Sequence, residues 1–211
     1  MKKLLIAAAV ALLGGTAAVA FFAREPNVSV EWTREVPSKE TAATLAPAFR
    51  DTRNWPIFHH SLREVRLTEG GKPVPEFDRV SPGMIATFAI EPKGKEWKRF
   101  LIVAEVLPPK VGEALRFRLL SESTGKSTRL LDGFEWWVGF RPANAEEASR
   151  GYATAVFGGA SAETKTPRAR FFGRVAPTIL MNQLYQIDLV RLASFTANME
   201  AWAGDHAPVY R

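Results

Sequence analysis

The chain contains no cysteine, and that single absence removes disulfides, thiolate metal sites, thiol nucleophiles and a lipidated N-terminal cysteine together. The fold must stand on its apolar core. Histidine is scarce as well, at three residues, His59, His60 and His206. No His-Glu-x-x-His occurs to hold a zinc ion, the serines lie outside any nucleophile-elbow context, and Gly151, Gly158 and Gly159 do not form a phosphate loop. Repeats and low-complexity tracts are lacking. No cofactor or metal site is indicated, and hydrolase, metalloenzyme and nucleotide-enzyme chemistry find no positive support.

Charge is also modest. The formal balance is +6, and setting aside Lys2 and Lys3 lowers it by two. Basic residues such as Arg63, Arg66, Arg116, Arg118 and Arg168 are interleaved with acids rather than gathered in one block, which is the pattern of a solvated surface and speaks against a nucleic-acid partner. A weak attraction to anionic lipid headgroups is compatible with it.

What the sequence does have is an apolar start. Lys2 and Lys3 precede a run from Leu4 to Ala23 broken only by Gly14, Gly15 and Thr16, the charged and apolar regions of an export signal. Ala18-Val19-Ala20 offers a cut after Ala20. About 20 apolar residues also suffice to span a hydrocarbon core, with the lysines on the cytoplasmic side. Residues 1–25 are therefore read as a signal peptide or a membrane anchor, and residues 26–211 as one exported domain, periplasmic or held at the inner membrane facing the periplasm. That length buries a sizeable core without staples.

Within the domain, Asn27 to Val36 alternates partly, as a half-buried strand does. Thr41 to Arg50 follows as a short helix with Ser38 as its cap. Strands are expected over about 62–68, 83–91, 97–107, 113–122, 132–142 and 150–160, separated by turn signals such as Gly70-Gly71, Pro108-Pro109 and Thr124-Gly125, which argues for an antiparallel meander. The last third changes period. Met181, Leu184, Asp188, Leu192, Phe195 and Met199 recur at helical steps, predicting one long amphipathic helix from near Arg168, with Pro177 as a kink or a first turn.

This order of elements, over about residues 28–203, resembles the START/SRPBCC superfamily, particularly its polyketide-cyclase-like members. The most specific local feature is Asp51-Thr52-Arg53-Asn54-Trp55-Pro56-Ile57-Phe58, similar to the D-x-x-x-W-P-x-W stretch of that superfamily with Phe58 in place of the second Trp. Glu105-Val106-Leu107-Pro108-Pro109 and Trp136-Trp137-Val138-Gly139-Phe140 support it. The resemblance implies an α+β helix-grip fold, a curved antiparallel sheet wrapped around a long C-terminal helix, with an apolar cavity between them that takes a hydrophobic small molecule or lipid.

The residues can be set against that expectation. Leu115, Phe117 and Leu119 share one strand face while Arg116 and Arg118 share the other, so the apolar face is the concave one. Phe134, Trp136 and Val138 alternate with Glu135, Trp137 and Gly139 in the same way. The helix adds Met181, Leu184, Asp188, Leu192 and Phe195. Most of these fill the interior, and small residues including Ala86, Ala104, Ala155 and Gly159 leave a smaller cavity. Faces of the strands holding Phe88 and Ile102 are not fixed by pattern.

Polar candidates are few. His59 and His60 point to opposite faces, so they do not chelate one metal, though one of them facing the cavity could serve as acid or base. Asp188 falls on the apolar stripe of the helix, either facing the cavity or at a solvated edge. Glu105 and Glu135 are carboxylates that nothing in the sequence brings together. The leading reading is a non-enzymatic binder or carrier of a hydrophobic molecule. A cyclase or dehydratase using Asp188, a histidine or Tyr152 is the alternative, and an anchored interaction module exposing Trp97 or Trp137 is a third.

Overall fold

The computed structural model describes residues 14–17, 21, 27–59, 61–75, 80–91, 99–176 and 189–194. Eight strands form one sheet: β1 (Ser29–Ser38), β2 (Leu62–Glu69), β3 (Lys72–Pro73), β4 (Ile85–Ile90), β5 (Phe100–Leu107), β6 (Glu113–Glu122), β7 (Leu131–Pro142) and β8 (Thr154–Thr164). Their order is β1-β8-β7-β6-β5-β4-β2-β3, antiparallel at every pairing. The expected meander is therefore present, with β1 closing onto the last strand and the two-residue β3 added at the far edge. Gly70 and Gly71, with φ of 57° and 80°, make the β2–β3 turn in the left-handed region that side chains avoid.

Two short helices cross the concave side between β1 and β2. α1 (Ala42–Arg50) places Leu45 and Phe49, one turn apart, in the core, as the i, i+4 spacing of a helix face requires. Its cap is Thr41, whose hydroxyl accepts from the Thr44 N–H at 3.3 Å. The expected cap, Ser38, does something else: it is the last residue of β1, accepts from the Glu40 N–H and donates to the Ala193 carbonyl, tying the first strand to the last described helix. A 3₁₀ turn (Thr52–Asn54) leads into α2 (Trp55–Phe58). Further along are α3 (Lys126–Leu130), α4 (Ala145–Ser149), α5 (Pro167–Val175) and α6 (Leu189–Ala193).

Of the helix expected from near Arg168 the described residues show α5 and α6, with a break just before Pro177, where a kink or the first turn of the main segment is expected. α5 starts with Thr166 accepting from the Ala169 N–H and Pro167 in the first turn, and it ends at Ala176, whose φ of −148° and ψ of 59° are not helical. Ala176 precedes Pro177, and the ring of a proline crowds the residue before it out of the α region. The break is local chemistry. Leu189, Leu192 and Ala193 of α6 are buried in the main core, so that part of the helical pattern does face the sheet.

Among the described residues no helix is long and apolar enough to cross a membrane. Most of the Leu4–Ala23 run lies outside the described residues; 14–17 and 21 are helical and exposed.

Candidate functional site

The concave face holds an aromatic-walled cavity. Its inner wall starts from the Asp51–Phe58 segment, and local hydrogen bonds explain how that segment is held. Asp51 accepts from the Arg53 N–H at 3.0 Å and is clasped by the Arg53 guanidinium at 2.5 Å, which holds its carboxyl below the usual aspartate range. The Asn54 amide donates to the Ala48 carbonyl and the Trp55 indole N–H to the Phe49 carbonyl, at 2.9 and 2.6 Å. Trp55 is thereby fixed edge and face. It stacks on Phe49 at 5.8 Å and on Phe88 at 5.5 Å between centroids and meets Phe117 edge-on at 5.7 Å. Phe117 stacks in turn on Trp136 at 5.3 Å, and Trp136 tilts against Phe134 at 5.7 Å. Such offset and T-shaped contacts are favourable for aromatic rings beyond their buried area.

These rings do not fill the space between them. About 100 Å³ is open to the centres of water-sized molecules, several times the roughly 10–15 Å³ that one water needs on that measure. The rest of the lining is Phe58, Leu62, Ile90, Ile102 and Leu119, with three polar residues, His59, Glu122 and Ser127. His59 follows α2, and its Nδ1 accepts from the Ser61 N–H at 3.3 Å, so the neutral ring in that arrangement carries its proton on Nε2. Glu122 ends β6 and accepts the Ser127 N–H of α3 at 3.0 Å. A donor and an acceptor thus sit at one end of an otherwise apolar chamber, an arrangement suited to orienting the polar end of an apolar molecule.

Of the residues expected from sequence, Phe117, Leu119, Phe134 and Trp136 line the cavity. Leu115 and Val138 pair across β6 and β7 and are 4% and 1% exposed; they are core beyond the cavity, at the end of the sheet that α1 covers. Leu192 is fully buried in the same core. Met181, Leu184, Asp188 and Phe195 lie outside the described residues, as do His60, His206 and Trp97. Phe88 and Ile102, whose faces the pattern left open, turn inward. Tyr152 is not part of the lining.

Glu122 and Ser127 were not anticipated, and a bulge explains Glu122. Pairing of β5 with β6 runs Ala104↔Leu119, Val103↔Ser121 and Ile102↔Glu122, so Leu120 has no partner opposite it. Regular alternation from Leu115, Phe117 and Leu119 predicts Ser121 inward and Glu122 outward. The extra residue reverses the parity. Leu120 is half-exposed and Glu122 faces the cavity. The adjacent Leu119-Leu120 pair, which interrupts the apolar–polar alternation, was the only trace of this in the sequence.

The convex face is closed. Arg116 bonds Glu113 and Glu135, each at 2.7 Å, and Arg118 bonds Glu135 at 3.0 Å and reaches Glu105 at 3.7 Å. Glu105 and Glu135 are therefore brought together after all, but around an arginine and away from the cavity, as structural ion pairs. Burial pushes the Glu135 carboxyl up, and hydrogen bonds from Arg116 and Arg118 more than offset it, leaving it below the ordinary glutamate range. The Arg116 guanidinium lies over the Trp137 ring at 4.8 Å. Trp137, expected as an exposed aromatic, is only 6% exposed. Gly159 does not enlarge the cavity either: a Cβ there would come within 2.6 Å of the Trp137 ring and 2.7 Å of the Trp32 carbonyl, so its lack of a side chain makes room for Trp137 on the outer face.

Neither a protein-family model nor a curated protein matches the chain. Solved structures do. Truncated norcoclaurine synthase from Thalictrum flavum superposes with a TM-score of 0.53 at 9% identity, over 82% of this chain and 96% of that one. Ara h 8.0201 gives 0.52 at 14% identity, over 80% and 97%. A point mutant of the Thalictrum synthase in complex with a transition-state analogue gives 0.50 at 8% identity, over 80% and 98%. At such identities the likeness is one of architecture. Together with the curved antiparallel sheet and the helices packed on its concave side, it gives this chain the same α+β helix-grip fold as those structures.

Proposed function

We propose that the protein binds or carries a hydrophobic small molecule or lipid in the concave-face cavity, with the molecule's polar end towards His59 and Glu122. One observation carries the reading: an aromatic-walled space whose lining is apolar but for His59, Glu122 and Ser127. A fold whose likeness to a solved complex with a transition-state analogue extends over four-fifths of this chain is compatible with occupancy of that space. Lys2, Lys3 and the Leu4–Ala23 run support a site of action outside the cytoplasm, beside a membrane.

Mass spectrometry of organic extracts from the purified protein, together with titration by Nile red, tests the proposal. A bound apolar molecule, or saturable dye uptake that Leu119→Trp abolishes at unchanged circular dichroism, is expected. No extractable molecule and no dye uptake would sink it.

A second reading is favoured by one specific feature, the presence of a histidine and a carboxylate on the same lining. In that reading His59 and Glu122 move protons on a bound substrate, as a cyclase or dehydratase requires. His59→Gln and Glu122→Gln then remove turnover while leaving dye uptake intact, whereas a pure carrier shows no turnover to remove.

A further inference from the structure

We propose that the end of the sheet at which the cavity's polar groups lie is a surface that docks on an anionic lipid bilayer. The register of the strands defines that end. Ser29 pairs with Glu163, Leu131 with Thr164, Ile102 with Glu122, Ile90 with Phe100 and Leu62 with Ile90. The start of β1, and so the point where the Leu4–Ala23 apolar run leads into the domain, is on the same edge as Leu62, Ile90, Ile102 and Glu122 of the cavity.

Two helices flank this edge, and both are purely basic. From Lys165 to Val175 the chain has four basic residues, Lys165, Arg168, Arg170 and Arg174, and no acid. α3 has Lys126 and Arg129 and no acid. α5 stays close to the edge along its length: a Cβ at Gly173 would lie 3.1 Å from Thr164 and 3.6 Å from Val30, and Phe172 packs on the cluster of Val30, Leu131, Phe134, Ala160 and Ala162. Acids on the same edge are Glu122, which is turned into the cavity, Glu163, Asp132, which Lys165 meets at 3.2 Å, and Glu91, which follows Ile90 and pairs with Arg63 at 3.0 Å. Exposed apolar side chains are present too, Val175 at 64% next to Arg174 in α5 and Leu120 at 50% near the end of β6. The opposite end is different in kind: there Arg141 is held between Glu35 and Glu147, and Arg150 pairs with Glu146.

Basic residues interspersed with exposed apolar ones are attracted to anionic headgroups, and a membrane hold built from one apolar segment is strengthened by such a second contact. Docking this edge brings His59, Glu122 and the cavity to the level of the headgroups. The surface argument goes beyond the cavity reading and stands without it.

The lack of cysteine makes the test clean. Val175→Cys and, at the opposite end, Val111→Cys, which is fully exposed in the β5–β6 turn, are labelled singly with an environment-sensitive fluorophore in the full chain. The labelled chains are reconstituted with vesicles that contain a spin-labelled lipid as quencher. In vesicles of equal phosphatidylglycerol and phosphatidylcholine the probe at 175 is expected to be quenched several-fold more than the probe at 111. The difference should close in phosphatidylcholine alone, at high salt, and in the Arg168→Glu/Arg174→Glu variant. Equal quenching at the two positions, stronger quenching at 111, or indifference to phosphatidylglycerol overturns the proposal. Nile red uptake in the same samples reports the cavity separately, so failure of one reading is distinguishable from failure of the other.

Discussion

Trp136 and Trp137 are neighbours in the chain with opposite surroundings. Trp136 faces the concave side, where its ring stacks on Phe117 and borders open space. Trp137 faces the convex side, where Gly159 gives it a floor and Arg116 a roof. The two faces of one sheet thus use aromatic residues differently. On the concave side rings prop each other around a cavity, whereas on the convex side a single ring is sealed under an ion-pair network. The cavity borders the concave face, whereas around Trp137 the convex face is packed to contact.

The comparison can be broken most severely at the concave wall. Trp55→Ala removes both stacks and the hydrogen bond to Phe49, and is expected to lower unfolding free energy by about 3–5 kcal/mol in urea denaturation. A smaller loss would mean that the wall is looser than the ring contacts imply. On the convex side, Arg116→Ala leaves Glu113 buried without its guanidinium and Glu135 with Arg118 alone, at an expected cost of about 3 kcal/mol, with Nile red uptake unchanged. Gly159→Ala follows at about 2 kcal/mol, since its Cβ crowds both the Trp137 ring and the Trp32 carbonyl; a neutral substitution would show that the outer face has slack.

The smallest effect is one of pH. Glu135 titrates below its unfolded value of about 4.3. Its stabilising contribution is full above that value and is lost as pH falls through the folded pKa. The urea midpoint of the native chain should therefore fall on acidification from pH 5 to pH 3 more steeply than that of Glu135→Gln. Parallel curves would remove Glu135 from the convex network's energetics.

Much of the concave face was readable because period-2 alternation is strict where a strand is regular. Phe117, Leu119, Phe134 and Trp136 follow from it directly, and the Trp-Pro segment marked the place where the aromatic wall begins. Leu115 and Val138 share that alternation but not the cavity, because pattern gives the face of a strand and not which stretch of the face a helix will cover. Cap choice between Ser38 and Thr41 was settled by a partner 155 residues away, Ala193, which no local window contains. The break before Pro177 was readable as well, because a proline inside a helical period can only kink the helix or begin a new turn.

The bulge at Leu120 has a wider consequence. A strand has something like a reading frame, and β6 is read in two frames along its length, one for Phe117 and Leu119 and the other for Glu122. Sliding the bulge out of the strand would present Ser121 to the cavity in place of Glu122, exchanging a carboxylate for a hydroxyl with no change in any residue. Deleting Leu120 would instead keep Glu122 inside, because it regularises the ladder in the pairing already made. The charge of this chamber is therefore written in the spacing of its wall as much as in its composition, and chains of this architecture can change what they accept by gaining or losing one residue.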